Sequence, residues 1–262
     1  MKADVTYHTY LDLDRVLGAQ HPSSGAHDEL LFIIIHQASE LWLKLCLHEL
    51  AAARDQIARD DLRPAFKMLA RVARAQGQLI GGWEVLSTMT PHDYSTVRPH
   101  LGSSSGFQSA QYRLMEFLLG GRNASMVSLH EGTLDAAALR AELRRPSLYD
   151  EAVRLLARRG FAIPGDVLNR DIGRTWTHNV DVEAAWAAIY RAPEERWDLY
   201  ELAEKLVDLE YHFQRWRFGH LKTVERIIGF KRGTGGTPGV PYLAKVLEQS
   251  FFPELLSVRT AL

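Results

Sequence analysis

Two segments of this chain carry apolar side chains over so many helical turns that the fold must be built around them. Residues 206–227 place Leu206, Leu209, Phe213, Trp216, His220, Val224 and Ile227 at spacings of three and four, on one face of a helix. Residues 30–47 are the longest apolar stretch, and Asp28 can cap a helix running on through LLFIIIHQASELWLKLCLHELAAARDQIA. His36, Gln37, Ser39, Glu40 and Lys44 interrupt that stretch, which predicts a buried interior helix and not a membrane span.

Further helices follow from period and caps. A segment from about Asp61 carries Leu62, Phe66, Leu69, Ala73, Gln76, Ile80 and Trp83 at helical spacing. Thr90-Pro91-His92-Asp93 supplies a cap, a proline at the first helical position and an acid at the third. Ser147 and Asp150 repeat the cap and acid, and Gly160 ends that helix. Residues 184–190 and 194–229 complete the helical set. Residues 119–144, with GGRNAS near their start, read as a surface excursion between core helices. Residues 7–13 suit an extended arm or a strand, and no βαβ alternation exists. The expectation is an all-α multi-helix bundle of roughly ten helices, a single domain over residues 1–262, with residues 1–16 as an N-terminal arm.

The 31 Lys and Arg balance 32 Asp and Glu, so there is no general attraction to nucleic acid or to an anionic membrane. One cysteine, Cys46, permits neither an intrachain disulfide nor a thiolate-rich metal centre, and among Leu45 and Leu47 it reads as an inert buried thiol. The first residues lack the apolar run of a secretory signal, so a cytoplasmic location is expected.

His220 interrupts an apolar stripe, which makes it either a satisfied core histidine or an axial haem ligand with Phe213, Trp216 and Phe218 as aromatic neighbours. No HExxH-like partner accompanies it. His36, one turn from Phe32, can hydrogen-bond a substrate while Phe32 packs on an aromatic ring; the bland alternative is a core histidine held by Glu40. Tyr94 and Arg98, four apart, can hold a carboxylate, and Ser103, Ser104 and Ser105 follow in a hydroxyl-rich turn. The basic, glycine-rich residues 231–239 match no phosphate-loop pattern and better fit a segment that closes over a ligand, with Thr234 offering a hydroxyl.

LLFIIIHQASELWLKL, GSSSGFQSAQYRLMEFLLG, RPSLYDEAVRLLARRG and FGHLKTVERIIGFKRGTGG together resemble the bacterial tryptophan 2,3-dioxygenases from Tyr7 to about Arg259. The resemblance implies an all-helical protein with haem b, a homotetramer, and opening of the indole C2–C3 bond of L-tryptophan by O2 to give N-formyl-L-kynurenine. It puts the proximal iron ligand at His220 and the distal histidine that bonds the indole nitrogen at His36, with Phe32 against the ring. It puts carboxylate recognition at Tyr94 and Arg98, the ammonium contact at Thr234, the distal-face serine at Ser105 and the lining of the haem cavity at Trp83. It also implies that Tyr7 and Tyr10, on the arm, enter a neighbouring subunit's pocket.

The chain departs from its relatives near these positions: His8 and Thr9 replace two glycines, Val97 a phenylalanine, and Ser103 a proline. The smaller Val97 suggests extra room beside the substrate. Two other readings accompany the leading one. One is a haem monooxygenase acting on a substituted tryptophan in secondary metabolism; the other is a non-catalytic haem- or indole-binding protein.

Overall fold

The computed structural model describes residues 5–236 and 238–262. Residues 1–4 of the expected arm and Thr237 of the expected loop lie outside the described residues. The fold is all-α. In chain order the helices are α1 (Tyr7–Tyr10), α2 (Leu13–Leu17), α3 (Glu29–Ala58), α4 (Leu62–Leu86), α5 (Pro91–Val97), α6 (Ala110–Leu119) and α7 (Leu134–Leu143). They continue with α8 (Leu148–Arg158), α9 (Gly165–Leu168), α10 (Val180–Arg191), α11 (Trp197–Ile228), α12 (Val240–Leu247) and α13 (Pro253–Ser257).

The two segments read as long helices are α3 and α11, 30 and 32 residues in length. A turn of three residues joins α3 to α4, so the two run antiparallel, and Asp60 takes the left-handed conformation there at φ 63°. Its carboxylate is held by the Arg159 guanidinium at 2.6 and 2.7 Å. Helix α4 packs along both α3 and α11 and so forms the centre of the bundle. Leu43, Leu50, Ile57, Leu69, Val72, Leu206 and Leu209 fill the space between them. Each such aliphatic side chain contributes about 1.5–3 kcal/mol by leaving water. Cys46 lies in this core, and burial pushes its thiol up to about 12, out of reach as a nucleophile.

The caps act as their residues suggest. Thr90 with Asp93 and Ser147 with Asp150 form reciprocal capping boxes. Gly160, at φ 91°, ends α8 with paired bonds from Gly160 N–H to the Ala157 carbonyl and from Phe161 N–H to the Leu156 carbonyl. At α3 the cap is different: Asp28 makes no side-chain cap bond, and the Glu29 carboxylate instead accepts from the backbone and hydroxyl groups of Ser23 and Ser24.

Several expectations need correction. Residues 7–10 are not extended. Thr6 and Thr9 cap each other reciprocally and close one helical turn, leaving Tyr7 and Tyr10 each 77% exposed. Residues 119–144 are not merely a surface excursion. They include a 3-10 segment, Ala124–His130, and α7, which bury Val127, Ala136 and Leu139 against Phe117 in a second small core. Helix α3 is not buried along its whole length. Leu30, Ile34, Leu41 and Trp42 are exposed, residues 31–40 are otherwise mostly half-buried, and the core positions of the helix start at Leu43, because the first half is covered on one side only. By length and composition α3 is the one helix, among the described residues, long and apolar enough to cross a membrane.

Candidate functional site

His36 lies on α3 within the half that the rest of the chain leaves partly open. Its Nδ1 is 2.7 Å from the Phe32 carbonyl oxygen. A carbonyl can only accept, so in the neutral ring Nδ1 carries the proton and Nε2 keeps its lone pair. Burial holds the imidazole pKa below its ordinary value of 6.5, with the Phe32 bond and the Glu40 charge opposing that shift. Glu40 does not hold His36 directly; its carboxylate accepts from Gln111 Nε2 at 2.7 Å. Phe32 packs on the His36 ring at 4.2 Å between centroids and reaches Tyr94 at 6.2 Å. Phe32 and His36 therefore meet as their spacing suggested, and Tyr94 joins them from α5.

Arg98 is just past the end of α5, because Pro99 has no N–H to continue the ladder and the chain tightens into a 3-10 turn, Arg98–His100. Its Nη2 donates to the Arg232 carbonyl at 2.7 Å. In the same loop Thr234 Oγ1 donates to the Ser104 carbonyl at 2.6 Å. A Cβ on Gly235 would come within 2.8 Å of Ser105 Cβ, so only glycine allows the loop to lie this close to the serine turn. Ser105 caps the 3-10 turn Gly106–Gln108, its Oγ accepting from Phe107 N–H. The loop, the serine turn and Arg98 thus form one cluster. Burial raises the Tyr94 phenol pKa against the opposing Arg98 charge, so the phenol stays protonated and able to donate.

His220, on α11, is the second imidazole of the cluster. Burial, and after it the charge of His36, lower its pKa to about 4. Helices α3 and α11 both pack on α4, and the two histidines they carry lie in electrostatic range of each other. The aromatic surroundings of His220 differ from expectation. Trp216 is 6.3 Å away, but Phe213 is in the core against Tyr112 and Phe251, and Phe218 is 53% exposed on another face of α11. The ring closest to His220 is Trp83 of α4, stacked at 4.6 Å and 10°. The indole N–H groups of Trp83 and Trp216 are buried without an acceptor. Val97 has no exposed surface, so any space released by its small side chain is internal.

Tyr7 and Tyr10 do not join this cluster within one chain; α1 packs only on α2. Sequence reasoning also missed residues that shape the site. The Arg232 carbonyl engages Arg98, and a buried ion cluster fixes the far side of the loop. In that cluster Glu116 accepts from Arg113 at 2.7 Å and from Arg217 at 2.8 Å, while Arg217 also donates to the Val246 and Gln249 carbonyls. The clue was three charged residues at core-facing positions of α6 and α11, where unpaired charge costs several kcal/mol.

The model of the family described as tryptophan 2,3-dioxygenase matches residues 1–138 and 139–262. A tryptophan 2,3-dioxygenase of Erythrobacter litoralis is 76% identical over the whole of both chains. Tryptophan 2,3-dioxygenase 1 of Ralstonia nicotianae is 58% identical, covering 98% of this chain and 88% of its own. The enzyme of Ralstonia pickettii is 58% identical, covering 98% and 93%.

Proposed function

The chain belongs to the tryptophan 2,3-dioxygenase family, and from that premise we propose how its residues perform the reaction. The activity is the oxidation of L-tryptophan by O2 to N-formyl-L-kynurenine, with both oxygen atoms kept in the product. The observation that carries the site assignment is the pairing of two neutral, half-buried histidines, one of which has its acceptor nitrogen defined by the backbone.

The cofactor is haem b, with His220 as its protein ligand. Several features fit that group. The imidazole stays neutral through the physiological range, as a ligand must. Aromatic rings flank it, and the unpartnered Trp83 and Trp216 N–H donors suit the carboxylate edge of a porphyrin. A haem bound there supplies the redox chemistry that O2 requires.

The residues of the chain bind and orient. Arg98 and Tyr94 clamp the amino acid carboxylate, with Arg98 releasing the Arg232 carbonyl in exchange. Thr234, seated over the serine turn, faces the ammonium group, and Ser105 borders the ring. His36 Nε2 accepts the indole N–H, and Phe32 packs on the indole. This hydrogen bond orients and polarises the ring; an indole N–H is too weak an acid for an imidazole to deprotonate it fully. Fixing the indole C2–C3 bond in this way converts binding energy into orientation.

The test is turnover under labelled O2 with product mass as the readout, on the parent and on His36→Ala. Two labelled atoms in a ring-opened product are expected from both, with His36→Ala slower by up to about 100-fold, the scale of losing one orienting contact. One labelled atom in a product with an intact indole would favour the monooxygenase reading. Complete loss of turnover in His36→Ala, with substrate still bound, would give the histidine a larger role.

The protein is a single domain over residues 1–262 that works as a cytoplasmic homotetramer. Support for the assembly comes from two apolar surfaces exposed in one chain: Tyr7 and Tyr10 on the arm, and Leu30, Ile34, Leu41 and Trp42 on α3. Each supplies what the other lacks, and the arm brings Tyr7 and Tyr10 to a neighbouring pocket. Deleting residues 1–12 is expected to weaken substrate binding and to lower the mass measured by light scattering, with helicity kept. A truncated tetramer with unchanged KM would show that the arm does neither.

A further inference from the structure

Helix α11 carries a glycine immediately before its candidate iron ligand, deep inside a 32-residue helix where alanine would be the more stable choice. A Cβ built on Gly219 would be 3.0 Å from Cδ1 of Trp83, 3.5 Å from Cγ and 3.6 Å from Cβ. The first of these is shorter than carbon atoms keep in a packed interior, about 3.5–4.0 Å. The hydrogen at position 219 therefore lets the Trp83 indole settle onto the backbone of α11. From that seat the indole stacks on His220 at 4.6 Å and 10°, and meets Trp216 at 5.8 Å.

We propose that Gly219 is a positioning residue for His220, acting through the Trp83 indole, which fixes the plane of the imidazole. This rests on the reading of His220 as the haem ligand. Ligating histidines are ordinarily oriented by a hydrogen bond from the second ring nitrogen to a carboxylate or a backbone carbonyl. Among the described residues the His220 ring makes no side-chain hydrogen bond, and its ring contacts are with Trp83 and Trp216. The stacked indole takes that place. To turn, the imidazole must leave the face of Trp83, and Trp216 blocks the space on its own side. A methyl group at position 219 displaces the indole by a few tenths of an ångström, and the imidazole plane follows.

The test is resonance Raman spectroscopy of the ferrous haem-loaded protein, read at the iron–histidine stretching band, together with the rate of haem release to an excess of apomyoglobin. In Gly219→Ala the band is expected to shift and broaden and haem release to rise about tenfold, the usual scale for losing an orienting partner. The Gly219→Ala/Trp83→Phe double variant, whose smaller ring withdraws the crowded edge, should recover the parent band. Trp83→Ala, which leaves the helix backbone untouched, should also displace it and covers the case of a Gly219→Ala protein that does not fold. A band unmoved in Trp83→Ala, or in a folded Gly219→Ala, overturns the proposal. A band that persists unchanged in His220→Ala overturns the ligand reading itself.

Discussion

Replacing His220 with alanine is expected to give a helical protein that retains no haem and shows no measurable turnover. The imidazole packs beside the Trp83 and Trp216 rings, and it is neutral because burial, with the His36 charge, lowers its pKa to about 4. Among the described residues no cluster of three or more His, Cys, Asp or Glu side chains offers a substitute site. The fold should survive, since the core is carried by Leu206, Leu209 and Phe213 farther along the same helix. Absorption near 400 nm after haem addition, set beside far-ultraviolet circular dichroism, checks both halves. A variant with the parent spectrum and parent turnover would remove His220 from the mechanism.

Truncating Arg98 to alanine should lower kcat/KM for L-tryptophan by the equivalent of about 2–5 kcal/mol, the usual cost of cutting one partner from a desolvated charge pair. For an indole without a carboxylate the loss should be far smaller, because no anion is left unpaired. Arg98 is already directed to an acceptor, the Arg232 carbonyl, so the guanidinium stays held near the loop before substrate arrives. Steady-state kinetics with the two substrates separates the roles. Equal losses for both would show that Arg98 supports the loop and not the carboxylate.

The long helices were legible because repeated spacings of three and four over many turns admit one local solution. Residues 206–227 and the stretch beyond Leu43 point their apolar side chains as that period requires. Two short helices, α7 and α12, were not legible. Helix α7 buries only Ala136 and Leu139, and α12 only Val240 and Val246, too few positions to set a period. The first half of α3 was misread for another reason: apolarity shows that a surface needs cover, but not which chain provides it. The candidate site divides in the same way. His36 with Phe32, and Tyr94 with Arg98, are local pairs one turn apart. The Trp83 stack and the Arg232 carbonyl depend on which segments lie side by side, and spacing along one chain holds no record of that.

The segment between Gly229 and Gly239 has a definite mechanical character. Both glycines have positive φ, 60° and 71°, and a Cβ on Gly239 would be 2.7 Å from the Lys231 carbonyl, so the two ends of the segment are drawn together. Beyond it, Arg217 clamps the end of α12 through the Val246 and Gln249 carbonyls. Displacement of the segment is therefore expected to stop at these two glycines and to leave α11 and α12 in place. Outside Gly229, Gly235 and Gly239 its sequence can change, and with it the speed of substrate entry, while the melting temperature of the bundle is expected to stay where the core sets it. Selection can then tune traffic through the site independently of the durability of the fold.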